Sequence, residues 1–412
     1  MDVAAKVVSD HPALAWRRAG LMHITGRSDG PPLVSSLPLT AAADGALGAL
    51  RALASDHALP ANGAVLLGER ARLANLSRGG RHSANRSCRL LTTRTDWIAL
   101  NLPRDDDWTL LPALFQRPAD DWAAVTDIAS QSDAATLIER GRLLGLAIAT
   151  VQPPPTKSAP FTVRCARPAA PPVAGRRPRI IDLTALWAGP LAGALLAACG
   201  AEVIKVESRQ RPDGARRGNV GFFDLLNGMK ASVALDFHDS SDLALLRGLV
   251  ASADIVLEAS RPRALARLGI DAEAAIASGA TWISITGYGR DGSAGDWIAF
   301  GDDAAVAGGV AMAMRHAWGE AMFAGDAIAD PLTGITAALA GWAGWRQGGG
   351  RLISIALSDV VAHAAMLGAA APIRAWQRMA NADDAPAYAM RSSAIASPPL
   401  GADTARLACT AA

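Results

Sequence analysis

From Arg179 onward, short apolar runs alternate with longer segments whose apolar residues recur every three or four positions. "RIIDL" (179–183), "EVIKVE" (202–207), "DIVLEA" (254–259), "TWISITG" (281–287) and "RLISIAL" (351–357) read as strands, with "GPLAGALLAACG" and "DLALLRGLVASA" as helices between them. Near-continuous apolar strands separated by helix-length segments predict a mostly parallel, Rossmann-like sheet covered on both faces. The first 150 residues are less regular. "GAVLLGERARLANL" looks helical toward its end, "RLLTTRTDWIALNLP" alternates as a hairpin does, and "DAATLIERGRLLGLAIATV" reads as helix, turn and strand. Between the two regions "VQPPPTKSAPFTVRCARPAAPPVAGRRP" packs Pro and basic residues and reads as a linker. The expected organisation is an α/β chain: a small α+β domain over 1–150, a Pro-rich linker over 151–178, a Rossmann-like large domain over 179–370 and a tail over 371–412.

In such sheets ligands bind beyond the carboxyl ends of the strands, so the loops after Leu183, Glu207, Ala259 and Gly287 are where binding residues should sit. The first of them, "LWAGPLAG", holds no GxGxxG or Walker pattern. Its glycines and helix start suit either an anion or simply a tight strand-to-helix turn. Composition narrows the partner. Forty basic residues against 38 acidic ones leave a charge of +2, which gives no field for nucleic acid or a membrane surface. A chain of 412 residues, 50% hydrophobic, has ample material for an enzyme's core. Cys88, Cys165, Cys199 and Cys409 lie far apart without a CxxC pair, so neither a zinc site nor a disulfide framework is expected, and the cytoplasm is the expected location. The N-terminus lacks the apolar run of a leader peptide, and no apolar run reaches eighteen residues.

One stretch near the end of the second region, "AGDAIADPLTG" (324–334), carries two acids four residues apart. Asp330 precedes Pro331, which is what a helix start needs, because a carboxylate accepts orphan N–H groups and Pro loses nothing at the first helical position. Taken alone, the pattern favours Asp330 as a cap. Asp326 follows Gly325 and is expected in a loop.

The second region resembles the family III CoA-transferases, the group of formyl-CoA and carnitine CoA-transferases and related acyl-CoA racemases. "RIIDLTALWAGPLAGALLAACGAEVIKVES" is similar to the family's opening strand, AGP turn, helix and second strand. "NGMKASVALD" resembles its "NRGKRS" segment, "ADIVLEASRPRALARLGID" its "ENFRPG" stretch, and "ISITGYGRDG" and "IADPLTG" follow in the family's order. The first region resembles the family's later parts: "RRAGLMHITGRSDGPPL" looks like the segment before the reactive aspartate, and "SCRLLTTRTDWIALNLPRDDDWTLLPALF" like the smaller domain. The order suggests a truncated tandem, the tail of one copy followed by the front of another. After "GPPL" the first copy has no Asp before TG, so no second active site is expected.

The resemblance implies that an aspartate attacks an acyl-CoA thioester, forms a mixed anhydride and exchanges it with the released thiolate, so that CoA moves to an incoming carboxylic acid. The matching aspartate is Asp330, expected to be kept ionised by the helix start. Leu186, Trp187 and Ala188 match the turn that approaches the nucleotide. Lys230 and Arg267 match basic positions suited to phosphates, Arg209 lies one place after another (Ser208 here), and Ala259 with Ser260 departs from the Asn-aromatic pair of "ENFRPG". The racemase branch would need a His where Asp302 stands in "FGDDA"; an exposed Asp is too weak a base, so racemization is the alternative, with His316 and His363 as stand-ins. A CoA-binding homologue without turnover is a further alternative. The expected partners are acyl-CoA and a carboxylic acid, with no metal, no nucleic acid and no membrane, and the expected assembly is a homodimer.

Overall fold

The computed structural model describes residues 10–54, 58–166, 170–367 and 372–411. The first nine residues, on which much of the leader-peptide reading rests, lie outside them. Among the described residues two sheets form. β1 (Cys88–Thr92), β2 (Trp97–Asn101) and β3 (Ala147–Thr150) make an antiparallel sheet in that order. β4 (Thr162–Cys165), β5 (Arg179–Leu183), β6 (Glu202–Ser208), β7 (Ala231–Leu235), β8 (Ile255–Glu258), β9 (Thr281–Thr286) and β10 (Arg351–Ala356) make the large one, ordered β4-β10-β9-β8-β5-β6-β7. All its pairs are parallel except β4 with β10. Strand order reverses at β5, so the carboxyl ends of β5 and β8 flank the crevice where such sheets bind ligands.

Alternation along each strand feeds two cores. Ile180, Ile255, Ile283 and Ile353 face one layer, while Ile181, Val256, Trp282 and Leu352 face the other. Five helices position the site: α1 (Leu39–Ala54), α2 (Ala64–Leu73), α3 (Ala188–Ala198), α4 (Gly301–Ala307) and α5 (Ala329–Arg346). α5 is apolar on nearly every side and packs against α1, α3 and the sheet, as an all-round apolar helix must. Its Gly334 makes that approach possible, because a Cβ there would lie 2.6 Å from the Ala188 carbonyl oxygen. The first turn of α5 is thereby held against the turn that follows β5.

The apolar residues of the first region divide. Leu39, Leu47, Leu50 and Leu66 on α1 and α2 join the core over the large sheet, whereas Leu91, Ile98, Leu100 and Ile148 build a separate small core. The stretch read as a linker also contributes to the sheet. Its β-branched Thr162 and Val163 pair as the exposed edge strand β4, and Arg164 is ion-paired with Glu273. The C-terminal segment packs back as well: Ala380 and Leu407 enter the two cores, and Arg391 grips buried Glu69 at 2.7 Å.

Candidate functional site

The loop that leads from the helix Val310–Trp318 into α5 runs through Gly325 and Ala327, both in the left-handed region at φ 79° and 41°. Such a conformation costs a non-glycine residue about 1 kcal/mol or more, and here the Ala327 N–H donates to Asp302 Oδ1 at 2.9 Å, which holds it. Asp326 is fully buried, and both its oxygens accept from Arg70 of α2, at 2.7 Å from Nε and 2.5 Å from Nη2. The Arg70 guanidinium also lies 4.7 Å from the centre of the Trp187 ring. The helix start differs from the sequence expectation. α5 begins at Ala329 with Ile328 as its cap and no side-chain capping bond, so Asp330 lies inside the first turn instead of capping it. Among the described residues nothing hydrogen-bonds its carboxylate, which is half-buried.

Four carboxylates meet here with one guanidinium. Burial first, then the charges of Asp302, Asp303 and Asp326, push Asp330 up to about 7, against the opposing pull of Arg70. The expectation that the helix start keeps it ionised at neutral pH is thus corrected: a dipole worth about 2 kcal/mol at most in a partly buried geometry does not offset desolvation and three neighbouring acids. Asp302 is buried, not exposed as expected, and burial together with the Asp326 charge raises it to about 7. Burial likewise raises Asp303 to about 6, opposed by bonds from Asn101, the Phe300 N–H and Tyr288. On Arg70 itself burial works against the charge, but Asp326 wins and holds the guanidinium above its usual range.

Asp330, Asp302, Ala327 and Arg70 line a cavity of about 640 Å³, whose other walls include Leu186 and Trp187. The small sheet closes one side. Asn85 Nδ2 donates to Asp302 at 3.1 Å, Asn101 Nδ2 to Asp303 at 2.9 Å, and the Ser87 hydroxyl sits between the two amides. A second cavity of about 660 Å³ lies at the carboxyl ends of β5 and β6, lined by Thr184, Ser208, Ser260 and Arg267. Arg211 lines both.

Of the sequence-derived positions, Leu186 and Trp187 reach the first cavity and Arg267 the second. Leu186 takes φ 68°, fixed by its N–H donating to Asp213, which is ion-paired with buried Lys205 at 2.9 Å. Ala188 is buried as the first residue of α3, and exposed Ala259 follows β8 directly. Arg209 is exposed but turned to the Ala234 carbonyl and Asp242, while its neighbour Ser208 lines the second cavity. Lys230 is a correction. Its ammonium is buried, 2.8 Å from Asp182 and 2.8 Å from the Pro190 carbonyl, so it ties β5 to α3 and cannot meet a phosphate. Burial lowers it to about 8 despite Asp182 beside it. His316 and His363 lie outside the lining of either cavity.

Arg70, Asn85 and Asn101 were not singled out from sequence. The only signal was a charged pair, Glu69 and Arg70, inside the apolar helix "AVLLGERARL". Gly301, the first residue of α4, lies directly against the nucleophile candidate: a Cβ there would stand 2.7 Å from Asp330 Oδ2 and 2.3 Å from the Ala327 carbonyl oxygen. Gly301→Ala is therefore expected to displace the Asp330 carboxylate and cut turnover by about 100-fold, the scale of a 1 Å misplacement, while circular dichroism still shows a folded chain. Unchanged turnover would show that this wall gives way freely.

The sequence model of CoA-transferase family III matches residues 177–395, more than half of the chain. The succinate–glutarate CoA-transferase of Agrobacterium fabrum is 33% identical over 46% of this chain and 52% of its own length. The succinyl-CoA–D-citramalate CoA-transferase of Chloroflexus aurantiacus is 31% identical over 44% of this chain and 49% of its own. The chain spans about half the length of these curated relatives. A solved structure, the hypothetical protein Rv3272 of Mycobacterium tuberculosis, aligns at 29% identity and a TM-score of 0.41, covering 47% of this chain and 57% of that one. Among the described residues no helix is long and apolar enough to cross a membrane, and no cluster of three or more His, Cys, Asp or Glu is placed to hold a metal ion.

Proposed function

We propose, because the chain belongs to CoA-transferase family III, that it moves coenzyme A from an acyl-CoA thioester to a carboxylic acid through an acyl intermediate on Asp330. The observation that carries this reading is a half-buried carboxylate without a hydrogen-bond partner among the described residues, facing a cavity that shares Arg211 as a wall with the cavity at the strand ends. The nucleotide of CoA lies in the second cavity, where Arg267 and Arg211 offer charge to its phosphates, and the pantetheine arm passes Arg211 toward Asp330. An Asp330 oxygen attacks the thioester carbonyl carbon, the C–S bond breaks, and the thiolate leaves an aspartyl–acyl anhydride. The thiolate then attacks the aspartyl carbonyl and releases the first acid. The incoming carboxylate repeats these steps in reverse, and Asp330 ends as it began. Water must stay out, since either intermediate would hydrolyse. The relatives act on succinate, glutarate and D-citramalate, and the same class of small carboxylic acids is the acceptor proposed here.

Incubation with acyl-CoA and hydroxylamine is expected to leave a hydroxamate on Asp330, found by peptide mass spectrometry. An unmodified Asp330 in protein that turns over would overturn the mechanism. The reading also has the protein working in the cytoplasm as a homodimer, which light scattering checks for assembly.

A second reading has gained an observation. Asp302, buried and raised to about 7, is a far better base than an exposed carboxylate for removing a proton alpha to a thioester. Deuterium uptake at the alpha carbon of a 2-methylacyl-CoA, lost in Asp302→Asn, would establish exchange chemistry in place of transfer.

A further inference from the structure

We propose that Arg70 is the positioning residue of this site: by clamping Asp326 with its fork and lying against Trp187, it sets where and in which charge state the Asp330 carboxylate meets its substrate. This rests on the reading of Asp330 as the reacting carboxylate. Arg70 comes from α2, outside the matched residues 177–395, so the family match does not reach it. The connection to Asp330 is short. Arg70 holds Asp326; the next residue, Ala327, is held in its left-handed conformation through its N–H to Asp302; and the Ala327 carbonyl accepts the Asp330 N–H at 2.9 Å. The loop is thus pinned from α2 on one side and from α4 on the other. A two-point fork backed by an aromatic ring is a geometry that arginine provides and lysine does not.

The charges make the same point. Asp330 is faced by Asp302 and Asp303 from α4, by Asp326 from the loop and by Arg70 from α2, while Arg104, Asp105, Asp106, Arg211 and Arg217 also line the cavity. In the inner group Arg70 is the only cation among four acids. Removing it must make Asp330 harder to ionise, and removing the charge of Asp326 must make it easier, because that leaves Arg70 to Asp302 and Asp330. A residue with a purely structural role would not produce shifts of opposite sign.

Carbodiimide coupling to Asp330, quantified by peptide mass spectrometry across pH, reads this directly, since only the protonated carboxyl reacts. In the unaltered protein the midpoint is expected near 7. Arg70→Gln is expected to raise it by about one unit or more, and Asp326→Asn to lower it. Midpoints that stay in place, or that move the same way in both variants, would overturn the proposal. Should Arg70→Gln fail to fold because Asp326 is left buried and unpaired, the double variant Arg70→Gln/Asp326→Asn, which leaves that pair uncharged, decides: a midpoint above that of Asp326→Asn supports the proposal, and an equal or lower one sinks it. Hydroxylamine trapping is scored separately. If trapping fails while the midpoints move apart, the proposed function falls and the role of Arg70 in setting the charge of Asp330 stands.

Discussion

Asp330→Asn is expected to abolish transfer between acyl-CoA and free acid, by about 10⁴-fold or more, the scale seen when a covalent nucleophile is removed. The amide has the same shape but cannot form the anhydride. Because nothing among the described residues hydrogen-bonds the Asp330 carboxylate, the substitution breaks no hydrogen bond, and stability supplies an independent check. Asp330 titrates at about 7 in the folded chain, above the usual carboxylate value, so the folded state holds its proton more tightly than the unfolded chain. A group raised in this way contributes stability below the unfolded value that is lost as pH rises through the folded one. Between about pH 4 and 7 the loss from Asp330 runs at up to about 1.4 kcal/mol per pH unit, and Asp302 and Asp303, which are shifted the same way, add to it. Asp330→Asn removes one contributor, so its melting temperature is expected to fall less between pH 5 and 8 than that of the unaltered protein. An inactive variant with an unchanged pH slope would mean that Asp330 is charged in the folded state throughout.

The large sheet was legible where strands lie in its interior. "RIIDL", "EVIKVE" and "TWISITG" become β5, β6 and β9 because buried parallel strands must be apolar on both faces. The edges were not. β7 is "ASVAL", seen in sequence only as part of a motif, and β4 is four exposed residues between prolines. β4 buries little and so leaves little pattern, whereas β7 is mostly buried but short and built partly of small residues. The site divides in the same way. That Asp330 and the Leu186–Trp187 turn come to one cavity is legible because each lies where a loop feeds a helix. Arg70 meets Asp326 across 256 residues, Asn85 meets Asp302 across 217 and Asn101 meets Asp303 across 202. No spacing rule reaches that far. The ionisation of Asp330 was misjudged for the same reason, since the neighbours that raise it come from other elements.

Lys230 shows how a basic residue in a motif can be structural, and the test separates the two roles by pairing it with Arg267. Lys230→Met leaves Asp182, fully buried on β5, without its ammonium and leaves the Pro190 carbonyl without its donor. Breaking a buried pair by removing one partner costs about 3–5 kcal/mol, because the remaining charge has no solvent to return to. Asp182 keeps the Thr184 N–H at 3.0 Å and the nearby charge of Lys205, which softens the loss without replacing the bond. The expected result is a large drop in the urea midpoint and, in protein that remains folded, unchanged CoA affinity by calorimetry. Arg267→Ala should do the reverse. The side chain is exposed at the second cavity, so the urea midpoint should hold while CoA binding weakens by about tenfold from one lost charged contact. Weaker CoA binding in folded Lys230→Met, or none lost in Arg267→Ala, would reverse the assignment and move the phosphate site away from the carboxyl ends of β5 and β6.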